Sequence, residues 1–131
     1  MKSSLKKQLE AVCPGDLVMV NWTDASIGKS RECGFEVDVP VYTWGVYIGI
    51  FGAKNKHLVI AQNSFRYADG LYDLDYTAIP LYWNISLTII VKGYLTAETA
   101  QQMVNSFLVA GRRRALGNRK HQERVLNHGH H

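Results

Sequence analysis

The sequence predicts a mainly β fold with flanking helices: a small five-stranded β-barrel preceded by a short helix and followed by an amphipathic one. Three observations carry this reading. Four or five short β-branched and aromatic runs crowd into about eighty residues, which favours a closed sheet because closure removes sticky edges. Gly45 and Gly49 fall four apart on one face of the strongest run, where missing side chains let a strand bend sharply, as at a barrel corner. Apolar residues recur with helical spacing on either side of these runs.

Leu5, Leu9 and Val12 stand at i, i+4 and i+7, so residues 3–12 read as an amphipathic helix, ended by Pro14 and Gly15. Leu17 to Trp22 is a strand. Thr23 to Pro40 is a long polar connection whose inner segment, Gly34 to Val41, alternates apolar and polar residues. That segment reads as an irregular or edge strand, since Pro40 cannot donate to a ladder. In the strand Tyr42 to Phe51, strict alternation puts Tyr42, Trp44, Val46, Ile48 and Ile50 on one face, and Thr43, Gly45, Tyr47, Gly49 and Phe51 on the other.

Gly52 to Lys56 forms a hairpin loop, and His57 to Asn63 returns as the paired strand. Phe65 to Leu74, with Asp69-Gly70 inside it, reads as a longer loop. Asp75 to Ile79 is a short strand stopped by Pro80, and Ile85 to Leu95 is the last. Thr96 is a good N-cap for a helix from 97 to about 115, with Ala100, Met103, Val104, Phe107, Leu108 and Gly111 on one stripe. The organisation is therefore residues 1–95 as helix plus barrel, 96–116 as a helix packed on the barrel or on a partner, and 117–131 as a basic, His-containing tail.

The 131 residues suit one domain, and 14 aromatics with 47% hydrophobic content exclude a disordered polyelectrolyte. No apolar run approaches the ~18 residues of a membrane span, so no membrane partner is expected. The first twelve residues lack the apolar core of a secretion signal, and the expected location is the cytoplasm.

Charge is segregated. Residues 1–105 carry nine Lys/Arg against ten Asp/Glu, whereas residues 106–131 carry six against one, Glu123. A basic end on a neutral body is the electrostatic footprint of a polyanion binder, because clustered cations release counterions from phosphates; a solubilising tail has the same composition. Cys13 and Cys33 have no CxxC spacing, so they read as two free thiols, paired only in an oxidising setting or a hyperthermophile. The terminal His128, His130 and His131 with His121 read as a tail and not as a metal site. Asp69, Asp73 and Asp75 lack the closing Glu of a calcium loop. No phosphate-cradling loop, dinucleotide fingerprint or HExxH is present, so no cofactor, metal or small-molecule substrate is expected.

The stretch Pro14-Gly15-Asp16-Leu17-Val18-Met19-Val20-Asn21-Trp22-Thr23-Asp24-Ala25-Ser26, with Leu58 to Gln62 and Thr77 to Leu81, resembles small proteins of archaeal, archaeal-virus and phage genomes, mostly without assigned activity. These are similar to β-barrels of the Sm and Src-homology types, and the likeness covers about residues 13–93. Gly45 to Ile60, with Asn55 in its turn, and Ile90-Val91-Lys92-Gly93 resemble the two halves of an Sm signature. That resemblance implies a small barrel able to form an oligomer by edge pairing, with the host cytoplasm as the location of a viral member. The acidic residue of the first half is absent, Gly52 and Ala53 occupying its neighbourhood, which argues against base-specific RNA binding in the Sm manner. Pro14 to Leu17 with Trp44 to Gly49 also resembles the start of papain-related acyltransferases and peptidases, whose base is a His just before that strand. Here Thr43 stands at that position and no Cys lies downstream; Cys33 with His57 would require a permuted order. No catalytic residue carries over, and no enzyme is expected.

The expected function is non-sequence-specific nucleic-acid binding through Arg112, Arg113, Arg114, Arg119, Lys120 and Arg124. Lys54, Lys56, Arg66 and Tyr67 are expected to help from two loops sharing one rim. Trp22, Trp44, Ile48 and Phe51 are expected to fill the barrel. Phe65, Tyr67, Tyr72, Tyr82 and Trp83 fall in loops or at strand ends, where rings either stack on bases or plug the core. The alternative is a structural or assembly protein, possibly a homo-oligomer, whose stripe Met103, Val104, Phe107 and Leu108 docks a partner or a second copy.

Overall fold

The structure is a computed structural model that describes residues 3–24, 39–83 and 85–109. Helix α1 (Ser3–Ala11) is followed by strands β1 (Leu17–Asp24), β2 (Val39–Phe51), β3 (His57–Arg66), β4 (Tyr72–Pro80) and β5 (Ile85–Val91), then by helix α2 (97–109). The strands form one antiparallel sheet in the order β4-β3-β2-β1-β5. Five strands and two flanking helices are as expected, but the sheet is not closed into a barrel: β4 and β5 do not pair.

Each face of the sheet holds its own core. On the inner face Val18, Val20, Tyr47, Leu58, Ile60, Ile79, Ile85 and Leu87 gather, so that all five strands contribute, and Leu5, Leu9 and Val12 of the N-terminal segment cover them. The apolar spacing of α1 thus does what an amphipathic stripe must. On the outer face Ile48, Val59 and Ala61 meet Met103, with Val46, Phe51, Leu74, Val104 and Phe107 packed around them. Thr96 caps α2 as its sequence predicts, its hydroxyl accepting the N–H of Thr99 at 3.2 Å.

Two bulges set which side chain faces which core. Between Tyr47 and Gly49 the β2–β3 register slips, so strict alternation fails. Ile50 joins Tyr47 on the inner face while Phe51 joins Ile48 on the outer one, the reverse of the expected assignment. The second bulge lies between Ala61 and Asn63, where β3 pairs with β4. From here β3 runs on to Arg66 beside β4 alone, and β2 runs back to Val39 beside β1 alone, so the sheet forks. Gln62 holds the fork: its amide donates to the Trp44 carbonyl at 3.1 Å and accepts from the Thr77 hydroxyl at 3.2 Å.

The segment Phe65 to Leu74, expected as a loop, is therefore the tip of a long hairpin with only Tyr67 to Leu71 turning. Pro40, expected in a separate edge strand, belongs to the start of β2 opposite Thr23. The rest of the expected connection, residues 25–38 with Cys33, lies outside the described residues.

Gly45 sits at the fork for a steric reason. A Cβ there would lie 2.5 Å from the Ile60 side chain and 2.6 Å from the Ala61 carbonyl oxygen, and the latter is backbone that cannot rotate away. Gly45→Ala is expected to destabilise the fold by roughly 2 kcal/mol, as overpacking does. A urea titration reads it as a lower midpoint at unchanged slope; an unshifted midpoint would show that the fork yields.

Candidate nucleic-acid interface

The sequence-predicted site divides into parts that lie far apart. Lys54 and Lys56 belong to the β2–β3 hairpin, and the Lys56 ammonium donates to the Gly52 carbonyl at 2.7 Å, closing the turn. Arg66 and Tyr67 stand at the other end of β3, ten residues on, or roughly 30 Å at the rise of an extended strand. The two loops do not share a rim. Arg112, Arg113, Arg114, Arg119, Lys120 and Arg124 lie outside the described residues, as do His121, His128, His130 and His131.

The β3–β4 hairpin is mixed in charge. Arg66 lies over the Tyr72 ring, its guanidinium carbon 5.8 Å from the centroid. Tyr67 donates its hydroxyl to Asp73 at 3.2 Å, and that hydrogen bond raises the phenol's pKa above its ordinary value. Asp69 accepts the Leu71 N–H inside the turn, and Asp75 faces the Asn63 amide at 3.5 Å. Three carboxylates beside one guanidinium make this tip unsuited to phosphate, so Arg66 and Tyr67 are weaker candidates than their sequence neighbourhood indicates. Among the described residues no group of three or more metal-ligating side chains gathers.

The last described turn of α2 lies at this hairpin. The Tyr72 N–H donates to the Ser106 hydroxyl at 3.1 Å, and Val109 lines a shallow cavity of about 160 Å³ with Tyr67, Asp69, Leu71 and Tyr72. In sequence, Arg112 stands three positions after Val109.

The aromatic residues are placed differently from expectation. Trp22 stays with the inner core, stacked on Trp83 at 5.4 Å, and its indole N–H donates to the Thr43 hydroxyl at 2.9 Å. The residue at the position of the papain-type base is thus a packing partner of Trp22. Trp44 does not fill the interior; it is 56% exposed, beside Tyr42 at 53%, their rings 6.4 Å apart and inclined by 27°. Both project from the outer face, where β-pairing aligns Trp44 with Met19 and Thr88, and Tyr42 with Asn21 and Ser86. These two cross-strand rows contain no charged side chain. Sequence alternation already grouped Tyr42 with Trp44; what it lacked was the extent of α2, whose packed side chains cover β2 only from Val46 onward.

The assembly reading loses its stripe. Met103, Val104 and Phe107 pack on the chain's own sheet, and of the four only Leu108 is exposed. The outer edge of β5 is also engaged, the Leu87 N–H donating to the Gln8 side chain at 2.9 Å.

The Pro14-Gly15-Asp16 turn has a structural task. Asp16, only 2% exposed, accepts the Gly93 N–H at 2.8 Å, the Cys13 N–H at 2.9 Å and the Lys92 ammonium at 2.9 Å. Lys92 also donates to the Ala11 carbonyl at the end of α1. Burial by itself would raise the Asp16 pKa, but the Gly93 N–H, Lys92 and the Cys13 N–H together hold it below 3.8. Cys13 is a free, exposed thiol beside this junction.

No helix among the described residues is long and apolar enough to cross a membrane. Comparison with family models, with curated proteins and with solved structures finds no match for this chain.

Proposed function

We propose that the protein is a non-enzymatic nucleic-acid-binding module whose basic C-terminal segment contacts phosphates without reading sequence. The observation that carries this reading is the segregation of charge: six Lys/Arg against one Glu after residue 105, on a body that is close to neutral. The rows of the outer face that carry Tyr42 and Trp44 add no opposing charge, which supports it, whereas Asp69 and Asp73 stand beside Val109. The strand order β4-β3-β2-β1-β5 behind an N-terminal helix supports a kinship with small barrels of the Sm or Src-homology type, opened between β4 and β5.

The test is fluorescence anisotropy of labelled DNA and RNA at two salt concentrations, comparing the full chain with a version ending at Val109. The full chain is expected to bind with an affinity that falls steeply with salt. If all six cations engage duplex phosphates, log K against log salt has a slope of about −5. The shortened chain is expected to lose both affinity and slope. Equal binding by the two would remove the segment from the interface, and no binding by either would favour an assembly role.

A further inference from the structure

Building on that reading, we propose that the outer-face pair Tyr42 and Trp44 is a stacking platform for unpaired bases, which makes single-stranded nucleic acid the preferred ligand. Three features of the site converge. Two large rings, each more than half exposed, stand at alternate positions of one strand with their planes within 27° of one another, so successive bases can lie against them along the strand. Their described cross-strand neighbours, Met19, Asn21, Ser86 and Thr88, carry no charge, so these two rows present nothing that repels a phosphate, in contrast to the carboxylates around Tyr67. The β1–β2 pair carrying the rings and the β3–β4 hairpin point to the same end of the sheet, and the last described turn of α2 lies beside that hairpin.

The chemistry of the two parts is complementary. Cations hold a backbone of any sequence, single or double stranded, whereas an aromatic ring gains a partner only from a base whose face is free. A duplex hides its base faces in the stack. The rings therefore add strand preference to binding whose affinity comes from charge elsewhere in the chain, and they add it without base identity, since every base presents a π-face.

Trp44→Ala, Tyr42→Ala and Trp44→Phe in the full chain would be titrated against a labelled oligothymidylate of about 12 nucleotides and against a duplex of similar length. Trp44→Ala is expected to weaken single-strand binding roughly tenfold or more while leaving duplex binding and the salt slope unchanged. Trp44→Phe, which keeps a ring, is expected to restore most of the loss. Tyr42→Ala acts in the same direction. Indole fluorescence gives an independent readout, because Trp22 and Trp83 are packed on each other: quenching by the oligonucleotide should vanish in Trp44→Ala. Unchanged single-strand affinity in both alanine variants, with salt-sensitive binding still lost on truncation, overturns the platform and leaves the basic segment standing. Absence of binding by the parent chain overturns both.

Discussion

Asp16→Ala is expected to destabilise the protein by about 3 kcal/mol, a large fraction of what holds a domain of this size together. The carboxylate is the acceptor for two backbone N–H groups from distant parts of the chain, Cys13 after α1 and Gly93 after β5. Alanine leaves both without a partner in a part-buried position, and each such orphan costs roughly 1 to 3 kcal/mol. The ion pair with Lys92 adds little, because the lysine side chain is more than half in solvent. The same junction is tied by backbone: Gly15 donates to Tyr47 and accepts from Leu95, and Tyr47 donates to the Asp16 carbonyl. Gly15 adopts φ +98°, and a Cβ there would lie 2.8 Å from that of Ala100. The turn thus fastens α1, β2 and the approach to α2 at one point.

The pH dependence follows from the direction of the Asp16 shift. Its folded pKa lies below the ordinary 3.8, so the stabilisation is fully present above that value and is lost as pH falls from 3.8 through the folded pKa. Acid unfolding of the parent, followed by circular dichroism, should therefore steepen below about pH 4. Asp16→Asn, which keeps an acceptor but cannot ionise, should remove that component and lower stability at neutral pH. If the Ala and Asn variants both melt with the parent, the junction is not what secures these elements.

The sequence made the elements legible and left their neighbours undetermined. Leu5, Leu9 and Val12 announced α1, and Thr96 announced the start of α2, because both signals are local: a 3.6-residue period and a cap. Even the pairing of β2 with β3 followed from a five-residue loop. The exchange of Ile50 and Phe51 was not legible, since a bulge arises from the register between two strands and not from either alone. Trp44 was misplaced for a related reason. Alternation put it on a face with Val46 and Ile48, and that face is covered where α2 crosses it but open beyond. Burial of an aromatic residue depends on where a helix more than fifty positions later comes to lie. The separation of Lys54 and Lys56 from Arg66 and Tyr67 follows from the ten-residue length of β3, which carries its two ends apart.

Phe107→Ala is the other substitution with a large expected effect, about 3 kcal/mol, or roughly 10 °C in Tm. The ring is half-buried between Phe51, at 4.9 Å and tilted, and Tyr76, at 5.1 Å and edge-on. It stands next to Ser106, which meets the β3–β4 hairpin at Tyr72. Its loss opens a gap between the helix and two strands and removes the ring contacts to Phe51 and Tyr76. Aromatic pairs of this geometry contribute beyond their buried area, so a double-mutant cycle with Phe51→Ala should return a coupling of about 1 kcal/mol. A loss under about 0.5 kcal/mol would show that Met103 and Val104 hold the helix without it. The same variant separates the two halves of the proposed interface. If α2 matters only for stability, Phe107→Ala measured well below its Tm binds oligothymidylate like the parent. If α2 sets the basic segment against the Tyr42–Trp44 face, single-strand affinity falls while duplex affinity, which needs the cations alone, is retained.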